Sequence, residues 1–389
     1  MVRNPAPVSR RATAAALTAD AVEETIVIFA LLTILATVTL AFANGGNDVS
    51  KGVATLVGSG RASYRRAIAW GTLWTAVGGG AALIISVGLV KAFTSALVGP
   101  ALLASPAFPL AIAMGAAAWV LLASATGLPV STTHALTGAI IGAAMTAGGA
   151  GTIRWELLLT TIALPLAVSP LVSAGIGYGL YGVAAHLSPA CVCVEDGLTL
   201  ADVDGSGLAA AAACPSVVVS AKGCAPSEGT WRLQPADLGH WAATAALSFA
   251  RGVNDTPKIV AIGALAFAAA GASLGVAFAA SVAAMTAGSY LAGRRVTTAL
   301  GEDVVQMDKD AGLSGAMVAA GCVLAASFYT LPVSTTHVST GAIVGAGLRQ
   351  GRGAVDWRTL GSFGLAWIVT LPVAAVFGGF AAWALAVGS

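Results

Sequence analysis

Residues 128–142 read LPVSTTHALTGAIIG and residues 331–345 read LPVSTTHVSTGAIVG, twelve identities in fifteen positions at an offset of 203. A repeat of this length constrains the architecture before any single element is assigned, because each copy must find an equivalent place in the fold. A second, weaker pair agrees with it. Gly46-Asn47-Asp48-Val49-Ser50-Lys51 aligns with Val253-Asn254-Asp255-Thr256-Pro257-Lys258 at an offset of 207, and Trp155 aligns with Trp357 at 202. Each half thus runs in one order: an N-D-x-x-K break, two apolar spans, a PVSTTH break, then a tryptophan-led span. The chain is a duplicated unit.

The medium in which that unit folds follows from its charge. Only 9% of the 389 residues are charged and 57% are hydrophobic, with a mean hydropathy of +0.86. Soluble domains carry roughly 25% charged residues, so this chain cannot cover a water-facing surface. A net charge of +2 gives no basic footprint for phosphate backbones, and no nucleic-acid partner is expected. The 48 glycines suit helices packed closely in lipid. A bilayer core needs roughly 20 apolar residues per helix. Nearly charge-free runs of that size lie at 22–43, 67–90, 107–127, 155–185, 275–293, 311–330 and 357–387. Further apolar stretches, interrupted by polar, Gly or Pro clusters, lie at 41–57, 128–148, 241–272 and 331–347.

The sequence therefore predicts an all-α polytopic membrane protein with ten to twelve embedded segments, multi-pass in the bacterial inner (plasma) membrane. Its expected parts are a polar N-terminal tail (1–21), a first membrane repeat (22–185), an extramembrane linker (186–239) and a second membrane repeat (240–389). Four of the five cysteines, Cys191, Cys193, Cys214 and Cys224, fall in the linker. They could pair as disulfides in an oxidising compartment or bind a metal in the cytosol. Arg61, Arg65 and Arg66 precede the span 67–90, whereas Arg294 and Arg295 follow the equivalent span 275–293. Positive charge at opposite ends of equivalent helices is what inverted repeats with broken helices and re-entrant hairpins require.

The few charges inside the apolar segments point to chemistry. An ionisable side chain in a span costs at least about 2.5–3.5 kcal/mol on insertion scales, yet Asp48 and Asp255 sit in apolar surroundings, in duplicate. Lys51 and Lys258 follow three residues later, on the same face of a helix. Such a pair can simply neutralise itself and hold two helices together, or it can serve an ion. In the PVSTTH segments, proline disfavours a continuous helix and leaves free N–H groups at a half-helix start, a natural anion site. Ser131, Thr132, Thr133, Ser334, Thr335 and Thr336 add hydroxyls that can meet an oxyanion or cap those half-helices. Carboxylate and unwound carbonyl oxygens suit a hard cation, which places a candidate sodium at Asp48 and Asp255. His134 and His337 can each lock a hairpin by a hydrogen bond or relay a proton. Arg251, whose counterpart in the first half is the uncharged Asn44, could meet substrate or a helix end. No Walker motif, redox-cofactor pattern or nucleotide loop is present, so neither an enzyme nor an ATP-driven pump is expected, and no cofactor beyond a coupling ion.

At these residues the sequence resembles the inorganic phosphate transporter (PiT) family, which carries a G-A-N-D motif early and a P-V-S-T-T-H motif late in each half. Here they read Gly45-Gly46-Asn47-Asp48, Gly252-Val253-Asn254-Asp255, Pro129–His134 and Pro332–His337. The resemblance implies a secondary active transporter of inverted repeats that moves inorganic phosphate by cation symport and alternating access, often as a homodimer. It implies that Asn47, Asp48, Asn254, Asp255 and the six Ser/Thr hydroxyls line the substrate and cation site, with Lys51 and Lys258 beside them. The family includes sulfate permeases, so sulfate is an alternative substrate. From another class, an anion channel would need a continuous pore, which duplicated broken helices do not favour. Many members carry asparagine where this chain has Lys51, which leaves both sodium and protons open as the coupling ion.

Overall fold

The computed structural model describes residues 8–93, 97–103, 105–187 and 235–387, with the backbone of five short strands between them. In the first half the helices are α1 (Val8–Gly58), α2 (Tyr64–Ile85), α3 (Gly88–Ala92), α4 (Pro100–Leu103), α5 (Ala107–Thr126), α6 (Thr132–Gly148), α7 (Trp155–Leu157) and α8 (Leu164–Leu187). A π-helical stretch, Leu158–Ala163, joins α7 to α8. The second half repeats the order with α9 (Pro235–Ala269), α10 (Leu274–Ala292), α11 (Arg294–Thr298), α12 (Lys309–Phe328), α13 (Thr335–Gln350) and α14 (Trp357–Val387). In the linker, β1 (Cys191–Glu195), β2 (Leu200–Ala201), β3 (Ala209–Ala210), β4 (Ser216–Ser220) and β5 (Thr230–Leu233) form an antiparallel sheet ordered β4-β1-β5 and a separate β2-β3 pair. Whether the linker cysteines pair lies outside the described residues.

Among the described residues, seven helices are long and apolar enough to cross a membrane: those at Glu23–Gly58, Tyr64–Ile85, Ala107–Thr126, Trp155–Val183, Leu274–Ala292, Lys309–Phe328 and Trp357–Ala386. They coincide with the seven apolar runs of the sequence. The charge-bearing α9 and the half-helices α6 and α13 are embedded with them. Outward-facing side chains are apolar, Ile84 being 86% and Ile368 74% exposed, and the charged side chains Asp48, Lys51, Arg251, Asp255 and Lys258 are all buried. Lipid, unlike water, takes the apolar side.

One expectation is corrected. The N-D-x-x-K segments are not breaks, for α1 and α9 run unbroken through them. Pro257 removes one backbone donor from α9 without ending it, as packed neighbours in a membrane permit. The chain is also already helical from Val8, within the stretch read as a polar tail. The PVSTTH segments do interrupt the helices. Gly127 (φ +80°) closes α5 in the left-handed conformation, and the Leu128 N–H then bonds the Ala123 carbonyl. Thr330 (φ +54°) takes the same position after α12, with the Leu331 N–H on the Ala326 carbonyl. Extended residues follow in both copies, and Ser131 and Ser334 start the next helices by accepting from the backbone N–H of His134 and His337 at 3.2 Å.

The halves interlock crosswise. α6 packs along α14, and α13 along α8. At Gly142 a Cβ would collide with the Ala375 carbonyl, and at Gly345 with that of Ala174, so both contacts need glycine for backbone approach. α1 and its counterpart α9 pass each other in opposite directions: Gly52 lies against Ser248 and Gly263 against Thr37. At one end of this crossing, Arg61 donates to the Asp237 carboxylate, joining α1 to the start of α9.

Candidate functional site

The crossing of α1 and α9 brings their polar stripes together. Asn44, Asp48 and Lys51 are spaced i, i+4, i+7, as are Arg251, Asp255 and Lys258, so each set lies along one helix face. Both stripes face the extended segments ahead of α6 and α13. Asp48 holds Lys51 by a 2.5 Å ion pair, and Asp255 holds Lys258 at 3.4 Å. The Lys51 ammonium also donates to the Asn47 carbonyl (3.0 Å), Asn47 Oδ1 (2.7 Å) and the Val130 carbonyl (3.4 Å). That of Lys258 donates to Thr133 Oγ1 (2.9 Å) and the Val333 carbonyl (2.8 Å). Both ammonium groups thus sit in cages of oxygen, which share the equivalent Asp48/Asp255 and Val130/Val333 and differ in Asn47 against Thr133.

The two extended segments are tied to each other and to the crossing. Thr133 donates to the Val333 carbonyl at 3.2 Å and Thr336 to the Val130 carbonyl at 2.7 Å, each reaching into the other half. Asn47 accepts from the Val130 N–H (3.1 Å) and donates to the Leu128 carbonyl (2.9 Å), satisfying backbone groups that the unwound stretch exposes. Asn254 donates to Asp255 and to the Val333 carbonyl. Thr335 donates to Asp48 Oδ2 (3.4 Å), and Asn44 donates to Asp48 Oδ2 (3.0 Å) and Thr132 Oγ1 (2.9 Å). The structure therefore brings together all twelve residues singled out in the sequence. Ser131 and Ser334 belong to it as helix caps; the threonines and asparagines cross-link it.

Sequence reasoning left Asn44, Ser124 and Ser327 out of the site, and it named Arg251 only as a residue able to meet substrate or a helix end. Asn44, one turn before Asp48, is fully buried and bonded to both the acid and Thr132. Its signal was the i, i+4 spacing. Ser124 and Ser327, at the 203-residue offset, touch Asn47 and Asn254 respectively; only the repeat marked them. Arg251, also fully buried, donates to Thr75 (2.8 Å) and Ser289 (3.1 Å).

The two histidines lie against each other. Their ring centroids lie 4.7 Å apart at a tilt of 44°, with Trp367 4.2 Å from His337 at 39°. Pro170 has no N–H to give to the Leu166 carbonyl four residues earlier, and His337 Nδ1 lies 3.0 Å from that oxygen. Since a carbonyl only accepts, Nδ1 carries the hydrogen and His337 locks its half-helix to α8. His134 Nδ1 has no such partner.

Each side chain of the two stripes is at most 2% exposed. The crossing is thus polar, present in two matching copies and sealed from solvent. A family model described as the phosphate transporter family matches residues 44–378. The chain belongs to that family. It is a family of transporters and not of enzymes, and the chain is a multi-pass integral membrane protein of the plasma membrane. Among curated relatives, a protein of Mycobacterium tuberculosis is 26% identical over 360 residues, covering 90% of this chain and 76% of the relative. One from Bacillus subtilis is 26% identical over 365 residues, covering 92% and 97%. Both carry the name "Probable low-affinity inorganic phosphate transporter". A solved structure titled "The sodium-dependent phosphate transporter" shares the fold at a TM-score of 0.73 and 18% identity, covering 92% of this chain and 99% of its own.

Proposed function

We propose that this chain is a secondary active transporter that moves inorganic phosphate by cation symport and alternating access. One observation carries the reading. Two matching polar stripes pass antiparallel between two opposed half-helix starts, in a region closed to solvent. The N-terminal ends of α6 and α13 direct free backbone N–H groups and partial positive charge inward, which favours an anion. The antiparallel passage of α1 and α9 supports an inverted arrangement of the repeats 22–185 and 240–389, flanked by the tail 1–21 and joined by the linker 186–239. In such folds the substrate lies at the repeat interface and access alternates by rocking of one unit against the other. Stripes sealed from solvent are what an occluded stage of such a cycle requires.

Asn47, Asp48, Lys51, Ser131, Thr132, Thr133, Asn254, Asp255, Lys258, Ser334, Thr335 and Thr336 form the substrate and ion site in this reading. Both oxygens of Asp48 already have partners, while Asp255 Oδ2 has none. A coupling sodium would therefore meet Asp255 before Asp48. Purified protein in liposomes, given labelled phosphate under separate sodium and proton gradients with sulfate as competitor, tests the proposal. Concentrative phosphate uptake driven by one gradient supports it. Uptake indifferent to both gradients points to a channel, and uptake of sulfate with no competition by phosphate points to the sulfate alternative.

A further inference from the structure

We infer that Arg251 is the residue that holds the transported oxyanion, as its counter-charge and forked hydrogen-bond donor. This rests on the transport reading above and names the part of the site that meets the substrate.

The charge balance of the buried core leads to it. Five formally charged side chains lie at 0–2% exposure near the α1–α9 crossing: Asp48, Lys51, Arg251, Asp255 and Lys258. Each acid has its own lysine, Asp48 with Lys51 and Asp255 with Lys258. Arg251 is left with no carboxylate partner among the described residues, so the sealed core carries one positive charge in excess. An unpaired buried charge is costly, and guanidinium, unlike ammonium, cannot shed its proton to escape that cost.

The hydrogen-bond inventory gives the same answer. A guanidinium has five N–H donors. Nη2 is engaged by the hydroxyls of Thr75 and Ser289, while Nε and Nη1 are buried and have no partner. The free donors and the surplus charge call for one ligand that is anionic and accepts several hydrogen bonds. A tetrahedral oxyanion matches both demands, and the arginine fork suits it better than an ammonium would.

Position decides that the ligand is the substrate. Arg251 stands one turn before Asp255 on the stripe that faces the crossing, where the first half has Asn44, which touches Asp48 and Thr132. Its guanidinium interacts electrostatically with both Asp48 and Asp255 without pairing with either. Ser289, one of its two anchors, bonds in turn to the Gly45 carbonyl, next to Asn44. Thr75 on α2 and Ser289 on α10 thus hold the guanidinium against the crossing.

The test uses the full chain in detergent, with thermal unfolding followed in inorganic phosphate, in sulfate and in chloride alone. Arg251→Met keeps the bulk and removes the charge; Arg251→Lys keeps the charge and removes the fork. In wild type, phosphate is expected to raise the unfolding midpoint in a concentration-dependent way. In R251M the midpoint in chloride is expected to equal or exceed that of wild type, because an unpaired charge has gone, and the phosphate response is expected to weaken at least about 100-fold in concentration. R251K should fall between them. A phosphate response undiminished in R251M overturns the assignment and leaves the transport reading intact. So does an R251M midpoint that falls in chloride while phosphate still binds as in wild type, since Arg251 would then be a structural tie. A wild-type response to sulfate alone that R251M loses upholds Arg251 and replaces phosphate as substrate. A wild-type protein indifferent to both anions removes the transport reading and the assignment together.

Discussion

Neutralising Asp48 tests how the site carries charge inside a membrane. Asp48 and Lys51 are at most 1% exposed and 2.5 Å apart. At that separation, with an effective dielectric constant of about 20, their gross attraction is about 7 kcal/mol. Desolvation offsets much of it, so the pair adds little net stability, whereas removing one member exposes the full cost of the other, about 3–5 kcal/mol. Here both survivors keep some partners. In D48N, Lys51 retains the Asn47 carbonyl and side-chain oxygens; in K51M, Asp48 retains Asn44 and Thr335. Each single change is therefore expected near the lower end, about 3 kcal/mol. The double change D48N/K51M removes both members of this pair, leaves neither charge stranded, and should cost about 1–2 kcal/mol. Reversible unfolding in mixed micelles, followed by tryptophan fluorescence, measures this cycle. The expected mark is a double mutant more stable than either single one. Single costs that simply add would refute the pairing argument. Phosphate uptake should be lost in D48N and in the double mutant alike; normal uptake in a folded D48N protein would remove Asp48 from the site.

Asp255→Asn is likewise expected to abolish gradient-driven phosphate uptake in liposomes while the protein remains inserted, and near-normal uptake would contradict the role of Asp255. Lys51→Asn empties one oxygen cage of its tethered cation and should change the dependence of uptake on sodium and pH; unaltered profiles would leave Lys51 purely structural. Gly142→Leu and Gly345→Leu force α6 from α14 and α13 from α8, and each should cost at least about 2 kcal/mol by the overpacking argument, whereas Gly179→Leu, with open space around its Cβ, should be tolerated. Thr330→Gly relieves a β-branched residue at φ +54° and should stabilise by about 0.5–1 kcal/mol after the entropy of the added glycine, a gain that micelle unfolding would detect.

Much of the site was legible because it is written twice. The N-D-x-x-K and PVSTTH strings named twelve residues, and all twelve converge. Hydropathy placed seven spans, since in lipid the outer face must be apolar and length sets the crossing. The error at the N-D segments has a physical origin. Polar residues near glycine or proline read as a break when each helix is considered alone, but here residues of the same helix, Ser124 and Ser327, and the PVSTTH segments satisfy them, so α1 and α9 need not unwind. The contacts of Asn44 and the Ser124–Asn47 and Ser327–Asn254 pairs depend on which helix faces meet within each half, and a linear pattern does not encode that. The strands of the linker, short and flanked by Gly and Pro, gave no periodic signal.

The places where the two halves differ say more about function than the places where they agree. The shared frame is two acid–lysine pairs, two capped half-helices and two crosswise threonine bonds, and by itself it is electrically neutral. A neutral, fully symmetric frame has no reason to prefer an anion beyond the partial charges of its helix ends. Exchanging Asn44 for its counterpart Arg251 adds one full positive charge to one side of the crossing, with two donor nitrogens left free. The acid–lysine distances of the two halves also differ, 2.5 Å beside Asn44 and 3.4 Å beside Arg251. Under the proposed transport reading, the symmetry offers the two-sided frame that alternating access needs, and the single buried charge difference favours an anion as the cargo. A chain with asparagine in both positions should keep the fold and lose the anion, which is the outcome that R251N in the same unfolding and uptake assays would display.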